Sequence, residues 1–313
     1  MDGELRFDGK VVIVTGAGRG LGRCYALCLA ERGAHVIVND LGAERDGARR
    51  SEAPAHAVVS EIRANGGAAT PDSSDVSASS EVDALVARAL AVTGRIDAVI
   101  NNAGVFLPPK PFGETTLDEF EMVWRNHCGG AYLLCRAVLP AMLAANAGRI
   151  VNTCSIQGLY GAATSAAYAS AKGAVMGLTL SLAATVRGTG VAVNAISPGG
   201  FTRMLEDGGR DPALVKALQV NLEPMLAAPA AAWLCHESCA LNGEIIQAFA
   251  GRFSRTLIGE PEGDWDFAPT IESVARILSR DVSVPELERA DDSQSRARAV
   301  MAAATARRER RSD

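Results

Sequence analysis

The sequence predicts an α/β fold, a single doubly wound parallel sheet of about seven strands with a C-terminal extension. Short apolar runs rich in β-branched residues alternate with longer segments of helical periodicity, which is typical of a parallel sheet covered on both faces. The first run, Lys10–Thr15 (KVVIVT), is apolar on both faces, as a central parallel strand requires. We expect one domain over residues 1–255 and the extension over 256–313, where the composition changes.

A glycine-rich turn, TGAGRGLG over residues 15–22, follows the first strand and precedes a helical pattern. Strand, glycine turn and helix in this order place a helix N-terminus where a pyrophosphate can bind, which is the arrangement of a Rossmann dinucleotide-binding unit. Glycines here allow a tight bend and a close approach of the backbone to the ligand. The candidate cofactor-binding residues of the turn are Gly16, Arg19, Gly20, Leu21 and Gly22.

The second strand, Ala34–Asn39, is followed by Asp40 and Leu41, which we expect to contact the cofactor. A carboxylate at this strand end can accept hydrogen bonds from both hydroxyls of an adenosine ribose and would repel a 2′-phosphate. Asp40 therefore favours NAD over NADP. Arg19 points mildly the other way, because its guanidinium could pair with that phosphate; the alternative is a solvated loop charge.

Two more strands are expected before the middle of the chain. A polar segment after the helix Ala55–Ala64 is expected to end the third strand near Asp75 and Val76, where a carboxylate can accept from the adenine amino group. The alternative role of Asp75 is an N-cap for the helix that begins near Ser79. The fourth strand, Arg95–Ile100, leads into small residues that let the backbone lie along a cofactor. The candidate residues of this segment are Asn102, Ala103 and Gly104.

Ser155, Tyr168 and Lys172 follow the fifth strand, Arg149–Thr153, and are candidate catalytic residues. The i, i+4 spacing of the Tyr and the Lys puts both side chains on one face of a helix. A free tyrosine has a pKa of about 10, and an ammonium group beside it lowers that pKa. The pair could exchange a proton with an alcohol or carbonyl held by Ser155. Taken alone, this spacing is more often a half-buried ring beside a solvated amine.

A long helix is predicted over Thr116–Asn146, with a break near its glycine pair, and it contains His127. A lone histidine on a helix is more often packed or solvated than catalytic. A second helix, Tyr168–Arg187, carries small residues that allow close packing against another helix or a second subunit.

The sixth strand, Val191–Ile196, ends in a Ser-Pro-Gly-Gly turn. The residues expected to line the nicotinamide there are Pro198, Phe201 and Thr202. Residues 203–225 are expected to form a mobile lid over the substrate. Further elements are a helix over Pro229–Cys239, a seventh strand from Ile245 and a short helix over Thr270–Arg280. Residues 288–313 are expected to form a frayed helix or a disordered tail.

Composition and charge exclude several classes of function. A formal net charge of −5 provides no basic field for nucleic acid, and the apolar runs are shorter than the ~20 residues that span a bilayer. The segment Cys235–Cys239 resembles half of a zinc site, but no second ligand pair is near, so no metal is expected. The N-terminus lacks an apolar signal segment, and the 7 cysteines lie in apolar segments. Buried thiols suit a reducing compartment, so a cytoplasmic protein is expected.

In combination and in this order, these motifs resemble those of the short-chain dehydrogenase/reductase family. The resemblance covers about residues 8–250. It implies NAD(P)(H) and hydride transfer to or from a carbonyl carbon. It implies that Tyr168 is the acid/base, that Lys172 lowers the tyrosine pKa and binds the nicotinamide ribose, and that Ser155 orients the substrate oxygen. It also implies a homodimer or homotetramer formed through two long helices.

A closer resemblance is to the dehydrogenase part of the type 2 peroxisomal multifunctional enzymes, a group within that family. It rests on VNDLG at residues 38–42, the long insert after it, and WLCHESC at residues 233–239. It implies oxidation of a (3R)-3-hydroxyacyl-CoA with NAD. It also implies that His127 belongs to a proton relay, at a position where most of the family has Asn. The alternatives are a steroid or polyketide-type hydroxyl/keto substrate, or a nucleotide-binding protein without turnover.

Overall fold

The computed structural model describes residues 4–43, 50–201, 219, 222–259, 264–268 and 270–279. The strands of its sheet are β1 (Val11–Thr15), β2 (His35–Asn39), β3 (Ala68–Asp72), β4 (Ala98–Asn101), β5 (Gly148–Thr153), β6 (Val191–Pro198), β7 (Ile245–Phe249) and β8 (Arg252–Thr256). The α-helices are α1 (Gly20–Glu31), α2 (Ala53–Ala64), α3 (Ser79–Thr93), α4 (Leu117–Trp124), α5 (Gly130–Ala144), α6 (Ile156–Tyr160), α7 (Ala166–Thr185), α8 (Ala228–Cys235) and α9 (Ile271–Leu278).

The strand order is β3-β2-β1-β4-β5-β6-β7-β8, and β1 to β7 are parallel. The predicted doubly wound parallel sheet is therefore confirmed. The edge strand β8 was not predicted. Ala250 and Gly251 join it to β7 and have φ of 53° and 74°. Positive φ at both positions of a two-residue loop is typical of a type I′ hairpin, so β8 runs antiparallel to β7.

The central strands β1, β4 and β5 are buried on both faces because helices cover each side of the sheet. Along β1, Val12 and Val14 pack into one core cluster, which also contains Tyr25 of α1. Val11 and Ile13 pack into the second cluster on the opposite face, together with side chains of α3 and α5. Successive side chains of a strand point to opposite faces, which explains why a central strand is a continuous apolar run.

The predicted helix Thr116–Asn146 is observed over Leu117–Ala144. The expected break is a π-helical turn, Arg125–Gly129, between α4 and α5. This turn contains His127, and π turns inside α-helices frequently occur at functional sites. By length and composition alone, Leu117–Ala144 could cross a membrane, and α5 within it contributes Leu134 to the core against the sheet. The absence of a membrane partner stays a prediction.

Several predicted bounds differ from the structure. The third strand ends at Asp72, before Asp75. The helix predicted over Pro229–Cys239 ends at Cys235, because His236 has an extended backbone. The described residues divide into two compact units, with the boundary between Arg255 and Thr256. Most of the predicted lid, residues 203–225, and all of the predicted tail, residues 288–313, lie outside the described residues.

Candidate active site

The loops that carry the predicted site residues leave the sheet at one edge. Strands β1, β4, β5 and β6 are parallel neighbours, so the loops after them emerge together. The strand order reverses between β1 and β4, because β2 and β3 lie on one side and the later strands on the other. In open α/β sheets, ligands bind in the crevice at such a switch point.

The glycine turn is packed too closely to hold side chains. A Cβ atom on Gly22 would lie 2.2 Å from the carbonyl oxygen of Gly16, and Gly16 has φ of 61°, in the left-handed region. Helix α1 begins at Gly20, and within the described part of the chain no side-chain hydrogen bond caps its first turn. The Arg19 side chain is exposed. An uncapped helix N-terminus beside the switch point fits the pyrophosphate of a dinucleotide.

Asp40 braces the glycine turn with one carboxylate oxygen and its own loop with the other. Oδ2 accepts a hydrogen bond from the Gly18 backbone N–H and Oδ1 one from Gly42, each at 2.7 Å. A Cβ atom on Gly18 would lie 2.7 Å from Oδ2. Gly18 therefore belongs to this site, although it was not among the residues predicted to bind the cofactor. Leu41 is partly buried next to Asp40, and its carbonyl oxygen accepts from Ser51.

Asn102 and Ala103 are tied to the glycine turn through Thr15. The Thr15 hydroxyl accepts hydrogen bonds from the backbone N–H groups of Asn102 and Ala103 at 2.9 and 3.0 Å. The Asn102 side-chain amide donates to the carbonyl oxygens of Thr15 and Gly16 at 2.9 and 3.2 Å. The Asn102 side chain thus holds two loops together. Sequence reasoning missed Thr15, which it treated as the last residue of a strand.

The carboxylate of Asp75 is engaged inside its own loop. Oδ1 accepts from the backbone and the hydroxyl of Ser77 at 2.9 and 2.7 Å, and Oδ2 accepts from Arg50 at 3.1 Å. Helix α3 has Ala78 as its N-cap, so the alternative of Asp75 as the N-cap is wrong. Val76 is buried and packs against Gly130, where an added Cβ would lie 3.0 Å away.

Ser155, Tyr168 and Lys172 come together beyond β5. Ser155 is the N-cap of α6, and its side chain is close enough to Tyr168 to oppose the rise of the tyrosine pKa. Tyr168 and Lys172 lie one turn apart on α7, and the Lys172 Nζ atom is 5.6 Å from the centre of the tyrosine ring. Nζ donates a 2.6 Å hydrogen bond to the carbonyl oxygen of Thr153, the last residue of β5. The arrangement joins two hydroxyls and an amine at the sheet edge.

Burial dominates the protonation of this group. It raises the pKa of Tyr168 to about 12, although the Ser155 side chain acts in the opposite direction. It lowers the pKa of Lys172 to about 8. The expectation that the ammonium lowers the tyrosine pKa below its ordinary value is therefore wrong for the chain by itself. The physical reason is that Nζ is directed at the Thr153 carbonyl oxygen while the phenol is removed from water.

His127 is buried beside Tyr168 and held in one orientation. The ring centroids are 5.2 Å apart with an interplanar angle of 88°, an edge-on contact. Nε2 lies 2.9 Å from the carbonyl oxygen of Val105, so this nitrogen carries the proton and donates it. Nδ1 is buried without a hydrogen-bond partner among the described residues. Gly104 lies against the ring, and a Cβ atom there would be 1.9 Å from Cε1.

The tautomer and charge of His127 can be tested by nitrogen NMR. Burial and the charge of Lys172 lower the pKa of His127 to about 3. We therefore expect a neutral ring, protonated on Nε2, throughout the range of pH 5 to 8 in which a free histidine titrates, at about 6.5. The chain has 4 histidines, and the His127→Asn variant identifies the signal. A ring that titrates near pH 6.5 would contradict this environment.

The loop after β6 faces the glycine turn. Pro198 is the last residue of β6, and a Cβ atom on Gly200 would lie 2.9 Å from the Leu21 side chain. The Phe201 backbone N–H donates a 2.5 Å hydrogen bond to the carbonyl oxygen of Leu222. Thr202 lies outside the described residues. Leu21 thus links the two loops that were predicted independently to line the cofactor.

Comparison with known proteins identifies the family. The family model described as short chain dehydrogenase matches residues 10–211. The chain belongs to the short-chain dehydrogenase family. It is accordingly an oxidoreductase that acts on CH–OH groups. The match covers β1 to β6, and therefore includes every candidate catalytic residue of this short-chain dehydrogenase.

Three similar proteins illustrate the range within the family. The peroxisomal multifunctional enzyme type 2 of Mus musculus is 42% identical over 262 residues, which are 82% of this chain and 34% of the mouse protein. A short chain dehydrogenase from Mycobacterium avium is 32% identical with a TM-score of 0.75, over 91% of this chain and 99% of that one. A 7α-hydroxysteroid dehydrogenase solved with NADH and 7-oxo glycochenodeoxycholic acid is 30% identical with a TM-score of 0.70. The match covers 79% of this chain and 95% of that one. The short-chain dehydrogenase described here spans about a third of the mouse enzyme.

Proposed function

We propose that the chain is an NAD-dependent dehydrogenase that interconverts a secondary alcohol and a ketone, with a (3R)-3-hydroxyacyl-CoA as substrate. The observation that carries the proposal is the group of Ser155, Tyr168 and Lys172 at the sheet edge that also holds the glycine turn. The resemblance to the dehydrogenase part of the type 2 multifunctional enzymes supports this substrate and this cofactor. The chain spans only part of such an enzyme, so the proposal concerns the dehydrogenase reaction alone.

Tyr168 is the proposed acid/base. Its hydroxyl lies close enough to the Ser155 side chain for Ser155 to act on its pKa, so an alcohol oxygen can bind against both groups. A bound nicotinamide supplies the hydride acceptor at the substrate carbon. Tyr168 takes the hydroxyl proton as the carbonyl forms, and its phenolate needs support because the pKa of the buried phenol is about 12. The charge of Lys172 provides that support, and exclusion of water strengthens it.

His127 is proposed to continue the proton path. Its Nε2–H is committed to Val105, so the lone pair of Nδ1 is an acceptor that is buried and unpartnered within the described part of the chain. A water on Nδ1 could connect the ring with Lys172, whose charge already acts on it. The competing interpretation is a packing histidine, which the edge-on contact with Tyr168 supports.

Asp40 is proposed to select NAD over NADP. Its carboxylate lies where the glycine turn meets the end of β2, with one oxygen bonded to Gly18. A 2′-phosphate in this place would face a carboxylate, and like charges in contact are unfavourable. The exposed Arg19 is the residue that could offset this repulsion.

The variant Asp40→Asn tests the cofactor proposal. The substitution removes the negative charge of the side chain. It keeps the size of the side chain and one oxygen that can accept the hydrogen bond from Gly18. We expect the ratio of kcat/KM for NAD to that for NADP to fall about tenfold, equivalent to about 1.4 kcal/mol of repulsion removed. Asp118→Asn, at an exposed position of α4, is the matched control. An unchanged ratio would rule out Asp40 as the selecting residue.

The substrate proposal is tested with a panel of alcohols and NAD, read as NADH absorbance. The panel contains (3R)- and (3S)-3-hydroxyacyl-CoAs, bile-acid alcohols and polyketide-type alcohols. Turnover of the (3R)-3-hydroxyacyl-CoAs alone is the expected result. A steroid substrate is the second candidate, because the similar 7α-hydroxysteroid dehydrogenase binds a bile acid. Tight NAD binding without turnover of any alcohol would favour a nucleotide-binding protein and would end the enzymatic proposal.

We also propose a homodimer or homotetramer. Trp124 of α4 and Tyr132 of α5 are half exposed, and Leu180 adds an exposed apolar side chain on α7. A Cβ atom on Gly177 would meet no described atom within 4 Å, so a neighbouring helix could approach α7 closely here. Light scattering coupled to size-exclusion chromatography measures the state, and a monomer at micromolar concentration would contradict the proposal.

A further inference from the structure

A chain of buried polar side chains crosses the molecule beneath the candidate catalytic group. Asn101 of β4, Asn152 of β5 and Thr179 of α7 are all buried, the last two completely. The Asn101 amide donates to Asn152 Oδ1 at 2.8 Å, and the Asn152 amide donates to the Thr179 hydroxyl at 3.0 Å. Buried polar groups far from water are costly unless they are fully paired. A polar chain in this position therefore needs an explanation beyond packing.

The directions of the hydrogen bonds between Asn101, Asn152 and Thr179 are determined. The Thr179 hydroxyl donates its proton to the carbonyl oxygen of Val175 at 2.8 Å. The same oxygen must therefore accept from the Asn152 amide nitrogen, which leaves Asn152 Oδ1 facing Asn101. The thiol of Cys135 lies 3.4 Å from the Asn101 amide and 3.7 Å from Asn152 Oδ1. Rotation of the Asn152 side chain would break both of its amide hydrogen bonds at once.

The polar chain connects to the candidate site through Asn152 and through Thr179. Asn152 is followed by Thr153, whose carbonyl oxygen accepts from Lys172. Thr179 lies seven residues after Lys172 and eleven after Tyr168 on α7. On a helix these spacings return to the same face. The helix face that carries the Tyr and the Lys is thus anchored to β5 at two heights, by Lys172 and by Thr179.

We propose that Asn152 and Thr179 are positioning residues that set the height and rotation of α7 against β5, and so hold Lys172 and Tyr168 in the geometry needed for proton transfer. The inference rests on the proposed dehydrogenase function. Apolar side chains could fill the same space but would not specify one register, because packing lacks the direction of a hydrogen bond. The polar chain specifies one register because Asn152 can form hydrogen bonds with both Asn101 and Thr179 only in that arrangement.

The test compares Thr179→Val, which removes the hydroxyl at nearly constant shape, with Thr179→Ser, which keeps it. Thr179→Ala serves as a second variant without the hydroxyl. Lys172 can be observed directly, because the chain contains only four lysines, at positions 10, 110, 172 and 216. Carbon NMR of lysine-labelled protein then follows the chemical shift and titration of Lys172, with Lys172→Met to assign its signal.

We expect kcat to fall about tenfold in Thr179→Val and Thr179→Ala, with KM for NAD within about twofold of the wild type. The pH profile of kcat and the Lys172 signal should shift in both variants. Thr179→Ser should restore both readouts, which a loss of packing alone would not explain. Unchanged kcat, pH profile and Lys172 signal in a folded variant without the hydroxyl would overturn the proposal. If the wild type oxidises no alcohol, the proposed function fails, whereas the Lys172 signal still decides the positioning role.

Discussion

Lys172→Met should reduce kcat by a factor of about a hundred to ten thousand, the range that proton transfer contributes in enzymes. The variant removes the only charge placed to support the Tyr168 phenolate among the described residues around it, within 5.6 Å of the ring centre. Burial raises the pKa of Tyr168 to about 12 even with Lys172 in place, and loss of the ammonium would leave the phenolate without the positive charge of its neighbour on α7. Steady-state kinetics with the best alcohol of the panel measures the loss.

The same variant should be more stable than the wild type at pH 7. Burial lowers the pKa of Lys172 from 10.5 to about 8 in the folded chain. Below pH 8 the folded protein must hold a buried charge that the unfolded chain exposes to water, and this lowers its free energy of unfolding. Methionine removes that cost, so we expect a gain of up to about 3 kcal/mol in the free energy of unfolding.

The pH dependence of this gain has a definite sign. Between pH 8 and 10.5 the unfolded chain binds the Lys172 proton and the folded chain has released it, so wild-type stability rises with pH. The advantage of Lys172→Met should therefore shrink across that window. Lys10→Met is the matched control, because Lys10 is partly exposed and its charge is paired with Glu237 and Asp97. Retention of most activity in Lys172→Met, or equal loss in Lys10→Met, would contradict the proposed base.

The elements that the sequence predicts well are those whose signal is local. The continuous apolar run of β1 and the glycines after it specify a buried parallel strand, a tight turn and a helix start within thirteen residues. The i, i+4 spacing likewise predicts that Tyr168 and Lys172 share a face of α7. The family match confirms that these signals belong together.

The features that were missed depend on contacts between distant segments. The Thr15 hydroxyl accepts a hydrogen bond from Asn102, 87 residues away, and the sequence around Thr15 does not indicate this contact. The expected contact of Asp75 with an adenine stays a prediction, and the sequence did not indicate that Arg50 and Ser77 also donate to its carboxylate. The direction of the Lys172 amine is also a tertiary property, because the spacing that places it beside Tyr168 does not show that the Thr153 carbonyl oxygen accepts a hydrogen bond from it.

Gly104→Ala should abolish most activity through His127 and not through the cofactor alone. A Cβ atom at this position would lie 1.9 Å from Cε1 of the histidine, and the ring is fixed by Val105 on one side and Tyr168 on the other. Overpacking against a buried side chain costs about 1–3 kcal/mol, and displacement of the His127 ring would push on the Tyr168 ring. We expect a lower melting temperature and at least about a hundredfold loss of kcat.

A double-mutant cycle separates the two reasons for the glycine. If the histidine ring is the obstacle, Gly104→Ala should cause little further loss of stability in a protein that already carries His127→Ala. The coupling between the two substitutions should then be about 1–3 kcal/mol in the free energy of unfolding. If the glycine serves only to let a cofactor approach, Gly104→Ala should weaken NAD binding equally with and without the ring. Calorimetric NAD titration and thermal unfolding of the four proteins distinguish these outcomes. Gly113→Ala, where a Cβ would meet no described atom within 4 Å, controls for the substitution itself. A strong coupling would mean that the small residue of this loop and the histidine of the π turn form one unit, so neither position can be changed without the other.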